Sequence, residues 1–398
     1  MTTIYVDNAA TTKTSRTAIE AMLPYMDKIY GNPSSLHSVG QAAADALRKA
    51  REEAAEVLGC EPNEITFTSG GSEADNQALL SAAMLGQKKG KKHIISTNIE
   101  HHAILHSLRR LESLGFEVTL LPVDEKGRIT VEQVANAIRP DTCLVTVMYA
   151  NNEIGTIEPI AEIGALCHEK GILFHTDAVQ AAGHLHIDVK SQNIDLLSLS
   201  GHKFHGPKGV GALYARRGIV LTNLIEGGAQ ERGKRAGTEN IPAIVGMAAA
   251  LKEACANLDE NAKKVAALRD RLIAGLSQIP HCALNGDDNG ANRLPGNVNF
   301  CFEGIEGESL LLLLDAKGIC ASSGSACTSG SLDPSHVLLA IGRPHEVAHG
   351  SLRLSLCESN TAEEVDYMLA QIPGIVSYLR GMSPVWKELL SGQRTFML

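Results

Sequence analysis

The chain has 398 residues, of which 44% are apolar, and its formal net charge at pH 7 is −9. This length exceeds what one hydrophobic core usually supports, so two domains are expected. The acidic balance disfavours nucleic-acid binding, because Lys and Arg are needed to neutralise phosphates. No segment approaches the roughly 18 apolar residues of a membrane span, and the N-terminus has no signal-like pattern. We therefore predict a cytoplasmic protein that does not bind a membrane.

The nine cysteines form no Cys-x-x-Cys pair and no disulfide-like ladder of spacings, so reduced thiols are expected. Seven of them lie among aliphatic residues, which is typical of buried small side chains, and Cys60 falls in a loop. Cys327 differs because it lies in the Gly/Ser-rich stretch ASSGSACTSGS. The histidines show no helical pairing with an acid and no Cys partner, so the pattern predicts no metal site.

The region from residue 65 to residue 201 alternates short apolar runs with helical patterns. The runs that predict strands are ITFTSG, HIISTN, EVTLLPV, CLVTVMYA, ILFHTDAV and LLSLSG. Helices are predicted between them over 73–85, 102–114, 131–138 and 160–170. Strands separated by helices imply right-handed crossovers and a mostly parallel α/β sheet covered on both faces. A ligand of such a sheet binds beyond the carboxyl ends of its strands.

The pattern changes after residue 241. It is helical to about residue 279, and the strand-like runs NVNFCF, GICASS and SLRLSLC follow, separated by helices near Ser309 and Ala362. This order predicts a second, smaller α/β domain. We place the boundary near residue 255, with a large domain over 13–255 and a small domain formed by 1–12 and 256–398.

Two neighbouring strands end in groups that suit pyridoxal 5'-phosphate (PLP). ILFHT runs into Asp177, and LLSLS runs into Ser200, Gly201, His202 and Lys203. A carboxylate can keep the pyridine nitrogen protonated, and a lysine can form a Schiff base with the aldehyde. A salt bridge at a sheet edge explains this pair equally well.

Three further strand ends carry polar groups. The first strand leads through Gly71 and Ser72 into a helix, whose N-terminus can bind a phosphate, although ordinary helix capping explains that motif alone. The next strand delivers His101, whose flat ring can stack on a cofactor and move protons. Asn152 follows the strand CLVTVMYA, and Gln180 lies one turn beyond Asp177. Core packing does not explain all these polar ends together, so they predict one ligand site.

The motifs taken together resemble the NifS/IscS-type cysteine desulfurases. The similarity rests on GGSEADN, EHHA, NNEIG, HTDAVQ, SGHKFHGPKGVG, RAGTEN and SSGSACTSGSLDPSHVL, in this order. It extends from YVDNAA at residue 5 to Leu356. The resemblance implies a PLP-dependent transferase of the aspartate-aminotransferase fold (fold type I), in the class V aminotransferase superfamily.

The same resemblance implies roles for individual residues. Lys203 would bind PLP, Asp177 would contact the ring nitrogen, and His101 would stack on the ring. Asn152 and Gln180 would contact ring substituents and the substrate, and Arg353 would bind the substrate carboxylate. The phosphate contacts would be Gly71, Ser72, Ser200 and His202, together with Thr238 from the other subunit of a homodimer.

Cys327 matches the nucleophile of that family. The implied reaction converts L-cysteine to L-alanine and leaves a persulfide on Cys327, from which sulfur passes to an iron-sulfur scaffold protein or another acceptor. An ordinary aminotransferase would also use Lys203 and Asp177, but would have no use for Cys327. A non-catalytic sulfur carrier without PLP is a second alternative, which intact Lys203, Asp177 and His101 disfavour. The identity of the acceptor, a nitrogen-fixation or housekeeping role, and activity on selenocysteine stay open.

Overall fold

The computed structural model describes residues 3–323 and 334–398, so Cys327 lies outside the described residues. The strands are β1 (Ile4–Tyr5), β2 (Ile65–Thr68), β3 (His93–Thr97), β4 (Glu117–Leu121), β5 (Thr142–Thr146), β6 (Leu173–Asp177), β7 (Leu196–Ser200), β8 (Gly211–Ala215), β9 (Cys282–Leu284), β10 (Asn297–Phe302), β11 (Ile319–Cys320) and β12 (Ser351–Ser355). The helices are α1 (Arg16–Met22), α2 (Pro24–Asp27), α3 (Ser38–Leu58), α4 (Gly71–Lys88), α5 (His102–Ser113), α6 (Val131–Ala137), α7 (Ile160–Lys170), α8 (Gln230–Gly233), α9 (Ile241–Ala256), α10 (Leu258–Leu276), α11 (Gly307–Asp315), α12 (His336–Ala340), α13 (His345–Ala348), α14 (Ala362–Met382) and α15 (Pro384–Leu390).

A seven-stranded sheet forms the centre of the molecule, with the order β2-β8-β7-β6-β5-β3-β4. The pairs β3-β4, β3-β5, β5-β6 and β6-β7 are parallel. These strands are the apolar runs of the sequence, and α4, α5, α6 and α7 connect them as predicted. The predicted α/β class with a mostly parallel sheet is confirmed.

Strand β8 is the element of this sheet that the sequence analysis missed. It lies between β2 and β7 and is antiparallel to both. Gly211 lets it pass close to its neighbours, because a Cβ there would lie 2.6 Å from the carbonyl oxygen of Leu199 and 2.7 Å from the carbonyl carbon of Gly70. This close approach brings the start of α4 beside the end of β7.

Two large clusters of buried apolar residues lie in the two halves of the chain, and a smaller cluster that includes Met148 and Val337 joins the halves. One core draws its members from residues 18–251, and another combines Ile4 and Val6 with residues 265–379. The N-terminal strand β1 pairs in parallel with β11, which explains why Ile4 and Val6 join the second core. We propose that these cores mark two domains, 13–255 and 1–12 with 256–398.

The helical region after residue 241 is two helices, α9 and α10, which meet at a bend of 73°. Within residues 3–323 and 334–398, no single helix has the length and apolarity of a membrane span, although this bent pair passes that test jointly. Beyond α10, the strands β12, β10 and β9 form an antiparallel sheet. Strand β12 carries Arg353 toward the central sheet.

Candidate active site

A cavity of about 260 Å³ lies beyond the carboxyl ends of the central strands. Its lining includes ten of the twelve residues that the sequence analysis selected: Gly71, Ser72, His101, Asn152, Asp177, Gln180, Ser200, His202, Lys203 and Arg353. Thr238 is exposed and does not line the cavity of this single chain. Cys327 lies outside the described residues. Five strands of the central sheet and strand β12 therefore bring polar residues to one place.

Lys203 ends a short 3-10 turn, Gly201–Lys203, that directly follows β7. Its Nζ donates hydrogen bonds to the carbonyl oxygens of Ala9 at 2.6 Å and Ala10 at 2.8 Å. The side-chain amide of Gln180 donates to the same Ala9 oxygen at 3.0 Å. The backbone of Ala9 and Ala10 is thus part of the site. The residue types of DNAA gave no chemical reason to expect this contact.

Asp177 ends β6 and is only 5% exposed. Burial raises the pKa of its carboxyl to about 6, although an N–H bond from Val179 at 2.9 Å and the charge of Lys203 both oppose this. Asp75 of α4 is also buried, and burial together with the charge of Asp177 raises its pKa. One oxygen of Asp75 has no hydrogen-bond partner among the described residues. This acidic end of the cavity suits a cationic ring nitrogen.

Asp75 was missed by the sequence analysis. It lies one helical turn after Gly71, so the α4 periodicity places both residues on the face that meets the sheet. Ligand atoms of Asp75, Asp177 and His101 all lie within 4.8 Å of one another. The signal in the sequence was the second acid of GGSEADN, which is Asp75. The motif was interpreted only as a helix start.

The part of the cavity beside the start of α4 suits a phosphate. Helix α4 has 18 residues, and its capping position is Gly70, which has no side chain to accept from the first-turn amides. A Cβ on Gly71 would lie 2.6 Å from Cγ2 of Val179, so this close packing requires glycine. An adjoining hollow is lined by Thr11, Ser69, Gly70, Gly71, Ser72, Glu73, Ser200, His202, Lys208 and Gly209. Helix amides, hydroxyl groups and a lysine are suitable phosphate ligands.

His101 both lines the cavity and caps helix α5. Its Nδ1 accepts a hydrogen bond from the amide of Ala103 at 3.1 Å, which leaves Nε2 to carry the proton in the neutral ring. Burial, followed by the charge of Lys203, lowers the pKa of His101 to about 4. The ring is therefore neutral near pH 7.

Arg353 is 2% exposed, so it is a buried cation. One Nη donates to the carbonyl oxygen of Asn152 at 3.1 Å, and the other contacts Oδ1 of Asp7 at 3.1 Å. Its Nε has no hydrogen-bond partner among the described residues. Asp7, which the sequence analysis did not select, stabilises the buried charge and leaves donor capacity toward the cavity.

These groups fit PLP by their chemistry. A lysine, a buried acid pair, a helix N-terminus and a neutral histidine border a single cavity. Lys203 would hold the aldehyde carbon, Asp177 the ring nitrogen, and the start of α4 with Ser200 and His202 the phosphate. Fold and site together define a PLP-dependent enzyme of fold type I.

Comparison with known proteins gives the same class. The aminotransferase class-V family matches residues 4–368. The chain is 57% identical to a protein named cysteine desulfurase IscS from Clostridium botulinum, over 98% of each chain. It is 49% identical to cysteine desulfurase NifS from Azotobacter vinelandii, over 97% of this chain and 96% of that one. A solved structure of a NifS-like protein superposes with a TM-score of 0.88 at 40% identity, covering 95% of this chain and 100% of that one.

The chain belongs to the class-V aminotransferase family, in its group of NifS/IscS-type cysteine desulfurases. The predicted family and its cofactor, PLP, are thereby confirmed. The individual residue roles stay predictions.

Asp177→Ala is expected to weaken PLP retention and catalysis, because the ring nitrogen loses its acidic partner and an unprotonated ring is a poor electron acceptor. A hydrogen bond to a charged group contributes about 1.5–3 kcal/mol, so the PLP dissociation constant should rise about 10- to 100-fold. Equilibrium dialysis followed by absorbance of bound PLP measures this. Asp188→Ala, on an exposed turn, is the matched control. Full retention and normal turnover in Asp177→Ala would contradict the assignment.

Proposed function

We propose that this enzyme converts L-cysteine to L-alanine and transfers the sulfur through a persulfide on Cys327 to acceptors for iron-sulfur cluster assembly. The observation that carries the proposal is that Lys203, Asp177 and Arg353 line one cavity. Together they provide an aldehyde-binding amine, an acid for a ring nitrogen and a cation for an amino-acid carboxylate. The thiol of Cys327 in its Gly/Ser-rich segment then distinguishes sulfur transfer from transamination.

PLP, when bound, withdraws electrons from the substrate and so makes its Cα proton removable. The protein supplies the proton acceptor. Lys203 would hold the cofactor, and its Nζ, when free, would take the Cα proton of the substrate and later return one for alanine. The carbonyl oxygens of Ala9 and Ala10, which accept from Nζ, hold this amine in the cavity. Lys203 is thus proposed as both cofactor anchor and proton carrier.

Arg353 is proposed to bind the substrate carboxylate. Its guanidinium is held by Asp7 and by the carbonyl oxygen of Asn152, so its orientation is fixed before substrate enters. Asn152 and Gln180 border the same space and offer amides to the substrate and the ring substituents. His101 is neutral and its Nδ1 accepts from Ala103, so its Nε2–H can donate a hydrogen bond beside the ring.

The sulfur step requires the Cys327 thiolate. Its sulfur attacks the substrate sulfur and forms an S–S bond, the substrate Cβ–S bond breaks, and the bonding electrons stay with the carbon fragment. Protonation of that fragment gives alanine. A thiol acceptor, or a reductant, then removes the sulfur from Cys327 and regenerates the thiol.

The remaining parts of the proposal concern assembly and location. A homodimer is proposed because Thr238 is exposed in the single chain, and a second chain could bring its Thr238 to the phosphate end of this cavity. A cytoplasmic location and an iron-sulfur scaffold as acceptor are proposed from the resemblance to the NifS/IscS group, to which the relatives named IscS and NifS belong.

The decisive assay gives purified protein L-cysteine with and without a thiol reductant and measures alanine and sulfide. Equal amounts of alanine and sulfide over many turnovers with reductant, and a single equivalent of protein-bound sulfur without it, are expected. Conversion of cysteine to its keto acid, with the amino group left on the cofactor, would indicate an aminotransferase. A purified protein that neither absorbs as PLP nor binds added PLP would indicate a carrier.

Arg353→Lys is expected to raise KM for L-cysteine about 10- to 100-fold, with a smaller change in kcat. Lysine keeps the positive charge beside Asp7 but loses the two-pronged contact with a carboxylate, which contributes about 1.5–3 kcal/mol. Steady-state kinetics separate the two constants. Arg343→Lys is the matched control, because Arg343 bonds Asn285 and the carbonyl of Leu284 away from the cavity. An unchanged KM would refute carboxylate binding by Arg353.

A further inference from the structure

A second cavity, of about 100 Å³, is lined by the residues that directly follow Lys203, Phe204 and His205, and by residues of both proposed domains. Its wall carries His205, Cys357 and Glu358. His205 is two residues beyond Lys203, and the pair Cys357 and Glu358 follows strand β12 with its Arg353. One ligand atom from each of the three residues lies within 4.8 Å of the others.

The His205 ring is oriented by a bond to the backbone. Its Nδ1 lies 2.9 Å from the carbonyl oxygen of Lys13, and since a carbonyl can only accept, Nδ1 must donate. The remaining nitrogen, Nε2, lies 3.2 Å from Oε1 of Glu358 and has no hydrogen bond of acceptable geometry among the described residues. A histidine that donates one N–H to a backbone carbonyl and presents the other nitrogen is the usual form of a metal ligand.

The other two ligand atoms are also held in place. Cys357 is 5% exposed, its amide donates to Oδ1 of Asn360 at 2.9 Å, and its Sγ lies 3.0 Å from the hydroxyl of Ser359. That hydroxyl can donate to a thiolate. Glu358 is 39% exposed at its side chain, so its carboxylate has freedom to adjust.

An ion pair between protonated His205 and Glu358 accounts for only two of the three groups. In that pair, burial acts against both charges, yet each partner favours the other, so the pKa of His205 is raised and that of Glu358 is lowered to about 2. Neighbouring His184 and Glu253 also face the cavity, where His184 contacts the Lys203 carbonyl and Glu253 accepts from Thr17. The ion pair gives the Cys357 thiol no role.

We propose that His205, Cys357 and Glu358 form a binding site for a zinc-type divalent cation. The cation would join the chain just after Lys203 to the chain just after strand β12. A neutral imidazole, a thiolate and a carboxylate together offset a double positive charge, and all three are ligands that zinc prefers. Zn–N and Zn–S distances of about 2.1 and 2.3 Å place such atoms about 3.6 Å apart in a tetrahedral site. Water from the cavity that these residues line would take the fourth position. The cation would exchange with the thiol proton and the imidazole proton.

This proposal does not depend on the desulfurase reaction, and it is tested by metal binding. The holoenzyme with Cys327→Ala is titrated with Zn²⁺ by calorimetry and with Co²⁺ by absorbance, after dialysis against a weak chelator. Bound PLP would keep metal from the Asp75, His101 and Asp177 group, and the Cys327→Ala background removes the thiol of the Gly/Ser-rich segment. One equivalent of Zn²⁺ and a thiolate-to-cobalt absorption band are expected.

The test variants, each made in that background, are His205→Asn, Cys357→Ser and Glu358→Gln. Asn is chosen because His205 has a φ of +64°, which Asn tolerates, and because the Asn amide can still donate toward Lys13. His205→Asn and Cys357→Ser should weaken Zn²⁺ binding by more than about 100-fold. Loss of a residue that only supports a metal ligand costs up to about that factor, and loss of the ligand itself should cost more. Cys255→Ser, at a half-buried thiol outside this group, is the matched control and should bind normally.

Three outcomes would overturn the site. One is absence of saturable Zn²⁺ binding, which would leave His205 and Glu358 as an ion pair only. Another is binding of one equivalent that the three variants do not weaken, which would place the metal elsewhere. The third is an equal loss in Cys255→Ser, which would attribute the effect to disturbed packing. Circular dichroism and PLP absorbance of each variant establish that the holoenzyme is intact.

Discussion

Cys327→Ala is expected to reduce alanine and sulfide formation from L-cysteine to background, by a factor on the order of 10³ or more, as for other covalent nucleophiles. The Cβ–S bond of the substrate breaks only when another sulfur takes over its sulfur atom, and alanine has none to offer. The substitution removes one atom from a Gly/Ser-rich segment, so folding and PLP content should be unchanged. Parallel assays of alanine, sulfide and cofactor absorbance measure all three expectations.

The matched control is Cys320→Ala, which removes a partly buried thiol a few residues before Cys327. It should retain wild-type turnover. Mass spectrometry of the wild type after brief exposure to cysteine should find one added sulfur on the Cys327 peptide, removable by reductant. Alanine release near the wild-type rate in Cys327→Ala, or added sulfur on Cys320, would refute the proposed nucleophile.

Sequence reasoning located most of the site because the site is built from strand ends. Each apolar run ends where polar residues begin, and parallel strands bring those ends to the same edge. Asp177 ends β6, Lys203 ends the 3-10 turn that follows β7, and His101 follows β3 after a short turn. Their joint position in the cavity needed only the order of strands and helices, which the hydrophobic periodicity supplies.

The residues that sequence reasoning missed depend on tertiary contacts. Asp75 matters because α4 packs its inner face on the sheet beside Asp177, and Asp7 matters because the segment after β1 lies along strand β12, next to Arg353. Strand β8 was missed because its GALYA run follows so soon after β7 that no helix separates them. Hydrophobic periodicity shows which residues of one element share a face, but it does not show which residues of different elements are in contact.

The His205, Cys357 and Glu358 group shows the same limit. A metal motif is recognisable when its ligands recur at short fixed spacing, whereas here about 150 residues separate the histidine from the other two. In sequence, Cys357 was interpreted as a buried small apolar residue, and its low exposure agrees with that. Only the fold brings it to an imidazole whose tautomer is already fixed by the Lys13 carbonyl.

Lys203→Ala is expected to abolish turnover of L-cysteine. The variant loses the amine that is proposed both to anchor PLP covalently and to move the Cα proton, and a proton-transfer function alone contributes about 10²- to 10⁴-fold. PLP can still bind through Asp177 and the phosphate contacts, so retention should fall less than activity does. Alanine assays and the absorbance of dialysed protein separate these effects.

Lys203→Arg tests whether the lysine acts by its chemistry or only by its charge. Arginine can donate to the carbonyl oxygens of Ala9 and Ala10 as Lys203 does, and it keeps a positive charge near Asp177 and His101. It cannot form the Schiff base or accept a proton at neutral pH. Lys203→Arg should therefore be as inactive as Lys203→Ala, whereas small primary amines added to Lys203→Ala should restore part of the activity by entering the vacated space as bases. Substantial activity in Lys203→Arg would mean that the contacts of Lys203 with the N-terminal backbone, rather than its nucleophilic amine, are what the enzyme requires.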